Sequence, residues 1–97
     1  MRPAKLRTIV EELKFYTEFN NLVKLNIPRV EDFVEGAKWL LARNPEEGKR
    51  ISTTDVWFLP NEFLPDKGEL PLVIYYTFDD NIVNLLAIFE TLYPPQE

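Results

Sequence analysis

The chain has 97 residues, enough for one domain and too few for two. It contains neither cysteine nor histidine, which excludes disulfides, thiolate chemistry and the commonest general base and metal ligand. Net charge is −5, and ten of the eleven basic residues fall in residues 1–50 while residues 51–97 hold one base, Lys67, against eight acids. The second half is therefore a poor phosphate surface, since nucleic-acid binding draws much of its affinity from Lys and Arg.

No apolar run approaches the roughly 20 residues of a membrane span, and no apolar stretch follows Met1-Arg2-Pro3-Ala4-Lys5. A cytoplasmic domain with no membrane contact, no cofactor and no metal is expected.

Leu6, Ile9, Val10, Leu13 and Tyr16 fit a helical period, yet Arg7-Thr8-Ile9-Val10 is also β-prone. A strand over about 6–14 is favoured. A short helix follows from a Thr17 cap and carries Phe19, Leu22, Val23 and Leu25. The next helix runs from Pro28, suited to a first helical turn, to about Arg43. Its apolar stripe is Ile27, Val30, Phe33, Val34, Ala37, Leu40 and Leu41. Asn44-Pro45 ends it and Gly48 lies in the turn beyond.

Three strands are expected next: Ile51 to Leu59, Leu72 to Phe78, and Ile82 to Phe89. A proline loop joins the first two. Asp79-Asp80-Asn81 makes a tight turn between the last two. Residues 91–97 read as a loose tail. One face of the second strand carries Leu72, Ile74, Tyr76 and Phe78, the other Val73 and Tyr75; the third shows Val83, Leu85, Ala87 and Phe89 against Ile82, Leu86 and Ile88. A sheet with one wet face alternates apolar with polar, and this one does not. Helices cover one face; the proline loop, a second copy or a partner chain is expected over the other.

This order, strand, helix, helix and three antiparallel strands, resembles the RelE/ParE superfamily of toxins from type II toxin–antitoxin systems. Two passages carry the resemblance. Ala37-Lys38-Trp39-Leu40-Leu41-Ala42-Arg43-Asn44-Pro45-Glu46-Glu47-Gly48 is similar to the family's helix followed by N-P-x-x-G. Leu72-Val73-Ile74-Tyr75-Tyr76, with Ile82-Val83-Asn84-Leu85-Leu86-Ala87-Ile88, is similar to its R-V-x-Y strand and its closing V-x-L-L-x-I strand. The resemblance covers about residues 6 to 90. It implies an α+β fold, β-α-α-β-β-β, with a twisted antiparallel sheet and a helical hairpin on one face. It also implies an antitoxin partner, and either ribosome-dependent mRNA cleavage or gyrase inhibition.

The mRNA-cleaving members use Lys and Arg on the meander strands with a tyrosine or histidine, which suits the charge that builds on a breaking phosphate. Here Leu72 stands at the position of the family's strand arginine, and 56–59, 72–78 and 82–89 hold no Lys or Arg. No catalytic residue carries over. Tyr75, Tyr76 and Tyr93 are the hydroxyl acids left in that half, without cations in those strands.

Arg43, Lys49 and Arg50 form the densest basic group and are candidates for phosphate contact; alternatively they are a solvated helix end suited to the helix dipole, with Glu46 and Glu47 between. Trp57, Tyr75 and Phe89 are strand aromatics that serve either as core or as anchors for a partner. Trp39 falls off the apolar stripe of its helix, which places it at an interface or against the preceding helix. The pairs Glu11-Glu12, Glu31-Asp32, Glu46-Glu47 and Asp79-Asp80 are adjacent in sequence, so their carboxylates diverge and read as solvated. The expected role is contact with an antitoxin or a second copy, without a nuclease site.

Overall fold

A computed structural model describes residues 6–27, 29–60 and 72–90; the proline loop, Pro28 and the tail lie outside them. The elements are β1 (Thr8–Glu11), α1 (Leu13–Lys24), α2 (Val30–Arg43), a 3-10 turn (Pro45–Glu47), β2 (Lys49–Arg50), β3 (Trp57–Pro60), β4 (Leu72–Phe78) and β5 (Ile82–Glu90). The strands form one sheet in the order β1-β5-β4-β3-β2. This is an α+β fold with two helices packed on a sheet. The sheet is mixed rather than wholly antiparallel, because β1 runs parallel to β5 at its edge.

The helices start and stop where local chemistry dictates. α1 begins four residues before the Thr17 cap expected from sequence. Glu12, still extended, donates its N–H to Leu85 O (3.0 Å) while its carbonyl accepts from Tyr16 N–H (3.0 Å), so strand passes into helix in one residue. α1 ends in a Schellman motif: Asn26 adopts a left-handed φ of 57°, Asn26 N–H bonds Val23 O and Ile27 N–H bonds Leu22 O. α2 begins at Val30, with Glu31 and Asp32 in its first turn and Arg43 in its last, the charges the helix dipole favours.

What reads as one strand from Ile51 to Leu59 is a small hairpin, β2 and β3. Ser52-Thr53-Thr54-Asp55 supplies side chains that compete for backbone partners. Thr54 Oγ1 donates to Ile51 O (2.6 Å) and accepts from Val56 N–H (3.1 Å), while Ser52 takes a left-handed φ of 51°. The Asp79–Ile82 turn is as expected, with Asp79 Oδ1 accepting from the N–H groups of Asn81 and Ile82.

One helix-covered core unites Phe15, Leu22, Val30, Phe33, Val34, Ala37 and Leu41 with Leu72, Ile74, Tyr76, Val83, Leu85 and Ile88. The β4 faces are those read from its alternation. Those of β5 are not. Tyr75 pairs with Ala87 and Tyr76 with Leu85, so Leu86 is an extra residue in β5. Beyond that bulge the parity inverts. Ile88 joins Val83 and Leu85 in the core, and Ala87 and Phe89 turn to the outer face.

On the outer face Phe58, Val73 and Ala87 are buried, and the proline loop expected over that face lies outside the described residues. The sheet edges are also blunted. β2 and β1 are short, Pro60 has no N–H to offer, and Glu18 Oε1 accepts the N–H of Ile88 (3.1 Å) where β5 runs past the end of β1. Lys14 Nζ holds the same carboxylate at 2.6 Å, and Lys38 joins α2 to β1 through Glu11 at 2.7 Å.

Gly36 sits in the middle of α2, exposed, and a Cβ built on it meets nothing within 4 Å. Its Ala variant should gain about 0.5–1 kcal/mol in a urea melt, from helix propensity alone. Among the described residues no helix is long and apolar enough to cross a membrane.

Candidate functional site

The Asn44–Gly48 passage, one of the two carriers of the family resemblance, is built as a structural lock. Asn44 closes α2 by giving its N–H to Leu40 O (2.7 Å), and Pro45 opens the 3-10 turn. The hydroxyl of Tyr76, fully buried on β4, donates to Pro45 O at 2.5 Å and accepts from the Gly48 N–H. A Cβ on Gly48 would lie 2.2 Å from that hydroxyl and 2.5 Å from Phe58 O. With φ at −79°, Gly48 is required for space, not for an unusual backbone. Burial drives the Tyr76 pKa far up; the Gly48 N–H offsets part of that, and the Glu47 carboxylate adds a smaller increase. Tyr76 therefore keeps its proton and pins the turn to the sheet; it is not an acid or base for a bound molecule.

The three cations of the basic group do not converge. Lys49 and Arg50 are adjacent in β2, opposite Phe58 and Trp57 respectively, so their side chains leave opposite faces of the sheet. Arg50 donates from Nε to Thr54 O (2.6 Å) and from a terminal nitrogen to Thr53 O (3.2 Å), holding its own hairpin. The Arg43 guanidinium lies 4.0 Å above the Trp39 ring and also bonds Trp39 O.

The aromatic candidates are dealt onto three surfaces. Trp39 is 60 % exposed on α2, with Arg43 stacked on it. Trp57 packs against the core and meets Phe78 edge-on at 5.3 Å. Tyr75 and Phe89 meet on the outer face at 5.1 Å, with Phe58 6.4 Å from Tyr75 and Lys14 Nζ 5.9 Å from the Phe89 ring. Phe89 is 37 % exposed, whereas burial of Tyr75 raises its pKa. Trp57 is thus mainly structural, and of these four aromatics Trp39 and Phe89 are the exposed ones.

A cleft of about 390 Å³ opens beside Trp57 and Phe78, rimmed by Arg50, Asp55, Thr77 and Asn84. Arg7 reaches the same end of the sheet: its Nε donates to Asp79 O (2.7 Å) and its guanidinium lies 5.9 Å from the Phe78 ring. Seventy-two residues separate Arg7 from Asp79, so only the parallel docking of β1 on β5 brings them together, and no local motif signals it. The Arg50 guanidinium on the rim of the cleft is spent on the backbone carbonyls of Thr53 and Thr54. Among the described residues no group of three acidic side chains is placed to hold a metal ion. No protein-family model and no curated protein matches the chain.

Proposed function

We propose that this chain is a RelE/ParE-like toxin-family protein that acts through protein–protein contact, with an antitoxin and a cellular target, and without a nuclease site. The observation that carries the reading is the disposition of cations and aromatics. Arg43, Lys49 and Arg50 point apart, and two of the three guanidinium-bearing or ammonium groups are tied to their own neighbourhood, Arg43 over Trp39 and Arg50 on Thr53 and Thr54. Stabilising a breaking phosphate needs donors aimed at one point. Trp39 and Phe89, in contrast, offer large apolar surface to a partner, and tryptophan is among the commonest interface anchors. The two-helix layer on the sheet and the locked Asn44–Gly48 turn are in keeping with the resemblance.

Induced expression in a bacterial host tests this. Growth arrest with intact cellular mRNA is expected, and Lys49→Ala with Arg50→Ala leaves the arrest unchanged. Fragmented mRNA that those two substitutions abolish would instead establish a diverged ribonuclease.

A further inference from the structure

β4 runs two residues past its pairing with β3. That pairing stops at Trp57 and Tyr76, and the Ser52–Asp55 turn lies beyond. The cleft beside Trp57 and Phe78 is therefore a split in the sheet, with Asp55 and Trp57 on its β3 side and Thr77 and Phe78 on its β4 side. Asp79 N–H bonds Ile82 O (2.9 Å), and pairs that exchange hydrogen bonds alternate with pairs that do not along an antiparallel ladder. Phe78 thus turns its own N–H and C=O away from β5 and toward the split. Among the described residues neither group has a hydrogen-bond partner. We infer that the split binds an extended peptide segment of a partner protein, whose main chain pairs with Phe78, an inference that rests on the contact-driven reading above.

Three features identify a peptide backbone as the occupant. The first is the unpaired pair of groups itself. One N–H and one C=O of a strand residue, facing the same way, are what another main chain matches in strand addition. The second is the pair of polar side chains beside them. Thr77 and Asn84 are cross-strand neighbours on the outer face, both half-buried and both lining the cleft, and neither side chain forms a hydrogen bond among the described residues. A hydroxyl and an amide each donate and accept, as a peptide group requires. The third is shape. At about 390 Å³ the cleft holds a few residues rather than a domain surface. Trp57 and Phe78, both packed against the core, meet edge-on at 5.3 Å and close the core side of the split. The peptide residue opposite Phe78 would point its side chain at those rings, so it must be Gly or Ala. Its two neighbours point to the other side, toward Thr77 and Asn84, where polar side chains fit.

The test is panning a displayed library of random linear peptides against the purified full chain, followed by amide hydrogen exchange on the complexes. Enriched peptides should hold Gly or Ala between polar residues. They should slow exchange at the Phe78 amide at least tenfold, and bind a Thr77→Val, Asn84→Ala double variant at least tenfold more weakly than the original chain. The exchange readout uses the original chain, so it decides the matter whether or not the double variant folds. No enrichment, enriched peptides with bulky residues throughout, or bound peptides that leave Phe78 exchange unchanged overturn the proposal. A native partner captured equally by both chains, with Phe78 exchange unchanged, removes the split and leaves the contact-driven function standing. Fragmented mRNA on expression is the separate result that removes that function.

Discussion

Replacing Gly48 by alanine should cost about 3 kcal/mol of folding stability, read as a lower urea midpoint with an unchanged slope. The added methyl would have to occupy space held by the Tyr76 hydroxyl at 2.2 Å and Phe58 O at 2.5 Å. The first neighbour is the end of a buried side chain with a hydrogen bond at stake; the second is strand backbone. Neither yields cheaply, since β3 is held by its register with β4. A comparable loss is a large fraction of the margin of a domain this size. An Ala variant as stable as the original chain would mean that the 3-10 turn moves freely, and that the lock is not what joins α2 to the meander.

Tyr76→Phe should cost about 1–3 kcal/mol, because Pro45 C=O and Gly48 N–H both lose their partner while the apolar ring remains in place. Combined with Gly48→Ala the losses should sum to less than their total, since removing the hydroxyl relieves one of the two clashes. The pH dependence carries its own signature. The folded-state pKa of Tyr76 lies well above the ordinary 10.0, so its contribution is complete below about pH 10. As pH rises further the unfolded chain releases this proton and the folded chain retains it. Stability then falls, by up to about 1.4 kcal/mol per pH unit for this group. Tyr75 adds a change of the same sign. The Phe variant should show a visibly flatter alkaline decline in urea melts; an identical decline would place the titrating group elsewhere.

The strongest periodic signals in the sequence correspond to structure. The α2 stripe, the Leu72–Phe78 alternation and the Asp79–Asn81 turn all stand where local chemistry alone put them. Elsewhere the structure departs from the simplest local pattern, for a reason particular to each place. Thr17 is a good cap by type, but β1 ends against β5, and the Glu12 N–H bond to Leu85 O starts the helix earlier. Ser52-Thr53-Thr54-Asp55 carried a turn signal inside a β-prone run, and the turn won. The bulge at Leu86 left no mark in a run of apolar residues, so the faces of β5 could not be read past it.

The candidate site was legible residue by residue and not as an arrangement. Period-two reasoning assigns Tyr75 to a face. It does not say that the bulge at Leu86 turns Phe89 to the outer face, which is what sets it beside Tyr75. Adjacent cations looked like a group on paper, and strand geometry sends Lys49 and Arg50 to opposite sides.

The measurement that bears most directly on the contact-driven function is recovery of partners by the tagged chain from its native cells, read by mass spectrometry with sedimentation of the purified protein. One small protein, stoichiometric and encoded by a neighbouring gene, is the expected result. Recovery of nothing, from a chain that sediments as a homodimer, would contradict it.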